Sequence, residues 1–330
     1  MNYYICANTS LGYWDFTEDN IYDVAKVIEL KSSNRYITDK VLNLIFQKLN
    51  EPCDIVFAPG TVDLKSALIL GNRKLAFVSN CNLGDKTINL DEHFGITPHS
   101  PDIADSIKKM ENSYRKAKEI HDIWEKIYIS NMDFTRLDSY CDNVISTLVT
   151  KESVTGRAKT YKRFFGTTTT EGSVNFIDSL TQDLSKRYYI KGRPGTGKST
   201  FLKKLSAELL EQGFDIEQYY CSFDPKSLDM VVCRELSFCV FDSTAPHEKF
   251  PEREGDIILD FYEEAGLSGI DEKYRNELNE IKKAYDTLIK SGVKAFKEAV
   301  NTENKEYLGQ FEKVKAAADI KLLSEIFEYN

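Results

Sequence analysis

The stretch that decides the fold is Arg187–Leu205, which reads RYYIKGRPGTGKSTFLKKL. It opens with a short β-rich run, Tyr188–Lys191, and continues into a turn that contains three glycines. Phe201–Leu209 then shows the apolar spacing of an amphipathic helix. The eight residues from Gly192 to Ser199 satisfy the pattern GxxxxGK[ST] in full. This order of strand, glycine-rich turn and helix predicts an α/β fold.

The glycine-rich turn has the chemistry of a phosphate-binding loop. Glycines allow successive backbone N–H groups to point inward at phosphate oxygens. The helix that follows adds the positive end of its dipole. We expect Lys198 to reach the β- and γ-phosphates and the Ser199 hydroxyl to ligate Mg²⁺. The predicted nucleotide-binding residues are Gly192, Arg193, Pro194, Gly195, Thr196, Gly197, Lys198, Ser199 and Thr200.

Two acidic residues follow later apolar runs. Asp242 closes the run Leu236–Asp242, which has the form of a Walker B strand, and we expect it to hold Mg²⁺ together with Ser199. Asp224 closes the run Ile216–Phe223. Its position resembles that of the acid that polarises the attacking water in RecA- and KaiC-like ATPases, but an Asp before Pro225 is equally expected to form a turn. The predicted catalytic residues are therefore Lys198, Asp242 and Asp224. His247 could sense the γ-phosphate or be structural.

The pattern of the deciding stretch occurs twice in the chain. The segments from the two parts of the sequence pair in the same order: Tyr4–Phe16 with Phe164–Phe176, Val27–Ile45 with Arg187–Leu205, and Val56–Phe77 with Tyr219–Phe238. Lys31 and Lys191 are 160 residues apart, as are Phe16 and Phe176. We predict an internal duplication, with one half at residues 1–155 and the other at 156–330.

The first half lacks the phosphate-binding residues. Ser32–Asp39 contains no glycine, and an ungapped alignment places Thr38 opposite Lys198 and Asp39 opposite Ser199. Because a carboxylate at that position would repel phosphate, we predict a nucleotide-free structural copy. The apolar runs predict about four strands in each half and none after Glu254.

Each half also ends in a long helical stretch. The spacing predicts one helical hairpin over about 102–149, with a turn at Ser130–Asp133, and another over about 272–328, with a turn at Asn301–Asn304. These helices could pack on the core or on each other. Alternatively, they could form an arm that binds a protein partner.

Composition narrows the class of protein. Of the 330 residues 42% are hydrophobic and 29% charged, as in globular proteins, and the net charge of −9 argues against nucleic-acid binding. The seven cysteines form no CxxC pair, and Met1 is followed by an apolar segment without basic residues. We therefore expect a cytoplasmic protein that does not enter a membrane.

Together with the glycine-rich turn, Cys221–Asp229 (CSFDPKSLD) and Phe241–His247 (FDSTAPH) resemble a family of bacterial P-loop ATPases with two tandem P-loop-like halves and helical extensions. The segment before the turn, GTTTTEGSVNFIDSLTQDL, is similar to the lead-in of RecA- and KaiC-like ATPases. The resemblance implies a P-loop NTPase fold, ATP as the nucleotide and a site at Gly192–Thr200. We expect an ATPase or ATP-dependent switch. The alternatives are a small-molecule or nucleoside kinase, and a regulatory module that binds nucleotide without turnover.

Overall fold

Each half of the chain forms a six-stranded mixed sheet, and the two sheets have the same strand order. The structure is a computed structural model that describes residues 1–150 and 158–311. In spatial order, the first sheet contains β1 (Asn2–Tyr3), β5 (Asp54–Phe57), β6 (Lys65–Leu70), β7 (Leu75–Ser79), β4 (Lys26–Lys31) and β8 (Lys86–Asn89). The second contains β9 (Thr160–Arg163), β13 (Ile216–Tyr220), β14 (Leu228–Cys233), β15 (Phe238–Asp242), β12 (Lys186–Lys191) and β16 (Asp256–Asp260). In both sheets the third strand of this order runs antiparallel to its two neighbours, and the other pairs are parallel.

The elements outside the sheets repeat as well. The first half has the hairpin β2 (Cys6–Thr9) and β3 (Gly12–Asp15), the helices α1 (Thr17–Ile21), α2 (Arg35–Lys48), α3 (Leu90–Phe94), α4 (Ala104–Ile129) and α5 (Phe134–Leu148), and a 3-10 turn at Gly71–Arg73. The second has the hairpin β10 (Gly166–Thr169) and β11 (Gly172–Asn175), and the helices α6 (Ile177–Thr181), α7 (Lys198–Glu211), α8 (Phe261–Glu264), α9 (Ile270–Lys273) and α10 (Arg275–Phe311). The predicted α/β class and the two related halves are confirmed. The predicted boundary at 155/156 lies outside the described residues.

A pseudo-twofold axis passes between two equivalent residues, Tyr4 and Phe164. The Tyr4 N–H donates to the Phe164 carbonyl at 3.0 Å, and the Phe164 N–H donates to the Tyr4 carbonyl at 2.8 Å. The ring of Tyr4 stacks on Phe176 at 5.4 Å, and the equivalent pair, Phe164 and Phe16, stacks at 5.0 Å. The halves therefore meet symmetrically through the residues that the sequence repeat aligned.

The two sheets share one core between their inner faces. Buried side chains of the first half, such as Tyr3, Val56 and Val78, form a single apolar cluster with Tyr219 and Phe241 of the second. Helix α2 covers the outer face of the first sheet, and α7 covers that of the second. Helix α5 belongs to the first half but packs beside α7, with its buried residues Leu137, Cys141, Ile145 and Leu148 in the core of the second half.

Only the first predicted helical hairpin is confirmed. Helices α4 and α5 are joined at Ser130–Asp133, and the Asp133 carboxylate accepts a hydrogen bond from the Arg136 N–H at 3.0 Å as an N-cap. The turn predicted at Asn301–Asn304 is wrong, because α10 continues through it to Phe311. The rest of the second prediction, beyond residue 311, lies outside the described residues. Helices α4 and α10 pack along each other, so close contact between the two extensions is part of the fold.

The predicted strand count was also wrong. Each half has six strands in its sheet rather than about four, and β16 lies after Glu254, where no strand was expected. The missed strands are at sheet edges: β1 is two residues long, and β16 has only three apolar residues between two aspartates. Edge strands of this kind carry little apolar signal because one side faces solvent.

Candidate functional site

The glycine-rich turn lies between β12 and α7 in the second half. Gly195 and Gly197 both have a φ of +78°, a conformation that L-residues with a side chain rarely adopt. Thr196 is buried, and its hydroxyl donates to the Arg193 carbonyl at 2.8 Å. A Cβ at Gly192 would lie 2.5 Å from the Thr196 hydroxyl oxygen. The glycines at these positions therefore permit a tight loop that residues with side chains would not form.

The backbone N–H groups of this loop are left free. In the described part of the chain, the amides of Gly195, Gly197, Lys198, Ser199 and Thr200 donate to no acceptor. Lys198 begins α7, so three of these amides are the unpaired donors at a helix N-terminus. Free amides converging at the positive end of a helix dipole form an anion-binding site.

A lysine and a carboxylate flank this loop. The Lys198 ammonium donates to the Arg193 carbonyl at 2.9 Å and lies 3.6 Å from Oδ2 of Asp242. Asp242 ends β15, which pairs in parallel with β12, so both residues lie at the carboxyl ends of neighbouring strands. The Ser199 hydroxyl, at the start of α7, accepts from the Leu228 N–H at 2.9 Å. The structure thus places Lys198, Ser199 and Asp242 on one edge of the sheet.

Two further aspartates lie at the same edge. Asp224 follows β13, and its carboxylate accepts from the Lys226 N–H at 3.1 Å, which is the turn interaction expected before Pro225. Asp229 was not predicted. Burial, followed by the nearby charge of Asp242, raises the pKa of Asp229 to about 8. Because β14 runs antiparallel to its neighbours, its first residues reach the edge where the other strands end.

Helix α4 of the first half covers the loop of the second. A Cβ added to Gly195 would lie 2.8 Å from the Glu125 carbonyl oxygen, and one added to Gly197 would lie 3.4 Å from Leu137 of α5. Lys118, His121, Asp122 and Glu125 lie on the same side of α4, since they are spaced as i, i+3, i+4 and i+7. The Lys118 ammonium is 3.3 Å from Oδ2 of Asp224. The site is therefore built from both halves.

The Arg193 side chain does not point at the loop amides. Its guanidinium donates to Oδ2 of Asp271 in α9, at 2.9 Å from Nε and 2.7 Å from Nη2. The Tyr128 hydroxyl of α4 donates to the other oxygen of Asp271 at 2.9 Å. This ionic contact ties the loop to α9 and to the helix that covers it.

His247 lies beside the site in a largely buried position. Its ring contacts Phe165 edge-on at 4.9 Å, and its Nδ1 is buried without a hydrogen-bond partner among the described residues. Burial lowers the pKa of His247 to about 4, partly offset by the charge of Asp242. The imidazole is therefore neutral near pH 7.

The equivalent turn of the first half borders a cavity of about 500 Å³, but an internal carboxylate bonds to the turn itself. It has three residues between β4 and α2, where the second half has six between β12 and α7. The Asp91 carboxylate accepts from the Ser32 hydroxyl at 2.5 Å and from the Ser33 N–H at 2.8 Å. The Tyr36 N–H donates to the Asn34 side chain at 3.0 Å. An internal carboxylate thus takes the place that an anion would need.

This shorter turn corrects the predicted register. The buried positions of α2 match those of α7 at an offset of 164 residues, as between Ile37 and Phe201, rather than 160. Thr38 therefore corresponds to a core position of α7 and not to Lys198. The Asp39 carboxylate accepts from the Lys65 N–H at 2.8 Å and plays no part in the turn.

The chain matches no family model, and neither a curated protein nor a solved structure matches it. Within the described residues, every helix is too short or too polar to cross a lipid bilayer.

Proposed function

We propose that the second half is a P-loop NTPase unit that binds ATP and Mg²⁺ at Gly192–Thr200 and hydrolyses the nucleotide. The observation that carries this proposal is the set of free loop amides at the start of α7, with Lys198 and Asp242 beside them. Such an arrangement suits a triphosphate, because the amides and Lys198 offset the charge of its β- and γ-phosphates.

The donor set fits magnesium. Mg²⁺ prefers hard oxygen ligands, and the site offers the Ser199 hydroxyl and the Asp242 carboxylate. Asp242 is held by its own neighbours, since Oδ1 accepts from the Thr244 N–H at 3.0 Å and from the Thr244 hydroxyl at 2.6 Å. When bound, the metal would neutralise charge on the phosphates, and Ser199 and Asp242 would hold it.

The remaining acids suit activation of a water molecule. Asp224 lies at the carboxyl end of β13 and Asp229 at the start of β14, both on the edge that carries the loop. In this proposal Asp224 orients the attacking water, as an acid after the corresponding strand does in the ATPases that the sequence resembles. Asp229 is buried, and its carboxylate is hydrogen-bonded to the Cys221 thiol.

The structure offers less support for a kinase. Transfer to an acceptor usually relies on arginines that close over the phosphates. Arg253 instead donates to the carbonyls of Thr181, Gln182 and Leu184, at 2.7 to 2.9 Å, and so fastens the segment before β12. Arg193 is paired with Asp271.

A phosphate-release assay with each of the four common nucleoside triphosphates and Mg²⁺ tests the proposal. It is run with and without small-molecule acceptors. Release that needs no acceptor and disappears in Lys198→Ala supports the ATPase. Transfer to an acceptor would favour the kinase, and binding with neither release nor transfer would favour the regulatory module.

A further inference from the structure

The polar side of α4 lies over the phosphate loop, although α4 belongs to the first half. Glu125 is against Gly195 at one end of this polar side, and Lys118 is 3.3 Å from Asp224 at the other. Lys118 also pairs with Asp122 one turn along the helix. Its side chain is only 23% exposed, so most of it is shielded from solvent by its neighbours.

Two lysines from different elements act on the same side chains of α4. Lys198 of the loop and Lys118 of α4 both influence His121 and Glu125 electrostatically. Burial raises the pKa of Glu125 and both ammonium groups oppose that rise, while burial lowers the pKa of His121. The charged and titratable groups around Lys118 are therefore His121, Asp122 and Glu125 from its own helix, and Asp224 from the second half.

We propose that α4 completes the nucleotide site, with Lys118 as the cation that contacts the terminal phosphate during hydrolysis. This inference rests on the proposed ATPase function and adds the first half to its machinery. A phosphoryl group in transfer spreads negative charge over its outer oxygens. Lys198 would meet that charge from the loop, whereas Lys118 would meet it from α4, where it lies beside Asp224, the acid assigned to the attacking water.

Asp122 and Asp224 hold Lys118 in this position. The ammonium contacts both carboxylates, so its long side chain is already ordered and loses little further freedom when an anion binds.

The variants Lys118→Ala and Lys118→Arg test the proposal, with Lys116→Ala as the matched control. Lys116 is exposed on the same helix two residues away and lies on a different side of it. Each variant is assayed for MgATP turnover. Each is also assayed for binding of MgADP with and without aluminium fluoride, which mimics the phosphoryl group in transfer.

Lys118→Ala is expected to lower kcat about 100-fold or more, as when one donor to transition-state charge is removed. It should keep its affinity for MgADP and its melting temperature but lose the gain in affinity that aluminium fluoride gives the wild type. Lys118→Arg should recover much of kcat, and Lys116→Ala should behave as the wild type.

Other outcomes overturn the inference in distinguishable ways. If Lys118→Ala turns over MgATP at the wild-type rate while Lys198→Ala has lost activity, the role of Lys118 is wrong and the ATPase stands. If Lys118→Ala loses MgADP affinity and melting temperature together with kcat, Lys118 is structural. If the wild type neither releases phosphate nor gains affinity from aluminium fluoride, the inference and the proposed hydrolysis both fail.

Discussion

The contact between α4 and the glycine-rich turn can be measured with a pair of glycine variants. Gly195 and Gly269 both have positive φ, at +78° and +83°, so an alanine at either position costs about 1–2 kcal/mol of backbone strain. Of these two glycines, only Gly195 has close neighbours. Its added Cβ would lie 2.8 Å from the Glu125 carbonyl oxygen and 3.0 Å from Glu125 Cβ, whereas nothing lies within 4 Å at Gly269. Because the backbone must move to relieve this clash, overpacking at position 195 raises the cost of the alanine by about another 1–3 kcal/mol.

We therefore expect Gly195→Ala to lower the free energy of unfolding by about 2–5 kcal/mol and Gly269→Ala by only about 1–2 kcal/mol. Both losses of unfolding free energy can be measured by urea denaturation, provided that the dependence of unfolding free energy on urea concentration is the same in the wild type and the variants. Gly195→Ala should also weaken MgATP binding, since the loop amides shift with Glu125, while Gly269→Ala should leave binding unchanged. Equal losses of stability in the two variants would show that α4 does not rest on the loop.

Three further predictions concern Asp242, the two halves and His247. Asp242→Asn should lose hydrolysis more than MgATP binding, because the loop amides still hold the phosphates; wild-type phosphate release in this variant would exclude Asp242 as the magnesium ligand. Residues 1–155 alone should bind no ATP by calorimetry, and residues 156–330 alone should be unstable or inactive, because the halves share a core; a soluble, fully active 156–330 fragment would contradict this. The folded-state pKa of His247, about 4, lies below the ordinary 6.5, so its contribution to stability is present above about pH 6.5 and is lost as pH falls towards 4. Over that interval the wild type should lose unfolding free energy relative to His247→Phe, and parallel pH curves from urea midpoints would count against a buried neutral imidazole.

The sequence correctly predicted those elements whose apolar spacing and glycine positions are visible within a short segment. The strand, glycine-rich turn and helix at Arg187–Leu205 correspond to β12, the loop and α7. The repeat at an offset of 160 residues correctly paired Tyr4 with Phe164, which hydrogen-bond to each other across the pseudo-twofold axis. These features could be predicted because apolar spacing and glycine position are properties of short segments.

Features that depend on contacts between residues far apart in the chain could not be predicted from the sequence. The polar residues at Asn301–Asn304 resemble a turn, but in α10 they have partners in the first half: Glu303 pairs with Arg35 at 2.7 Å, and Asn304 bonds to the Tyr36 hydroxyl. Tertiary contacts of this kind override local propensity. Likewise, nothing near Lys118 or Glu125 in the sequence indicates that α4 covers the loop of the other half.

Only part of the candidate site was predicted, again because some of its residues are placed by distant contacts. Lys198, Ser199 and Asp242 lie together because parallel strands end at one edge of the sheet. Asp229 was missed, because its place depends on the reversed direction of β14, which the apolar run alone does not reveal. The error at Thr38 and Asp39 came from an alignment without gaps, because the turn before α2 is shorter than the turn before α7 and this shifts the helix positions that follow.

Binding of the MgATP phosphates by Gly192–Ser199 can be measured by calorimetric titration of MgATP into the wild type and Lys198→Ala. The wild type should bind one nucleotide per chain. Loss of a charge-assisted contact is worth about 1.5–3 kcal/mol, so Lys198→Ala should bind about 10- to 100-fold more weakly at an unchanged melting temperature. A wild type that binds no MgATP, or a variant that binds it equally well, would contradict the account.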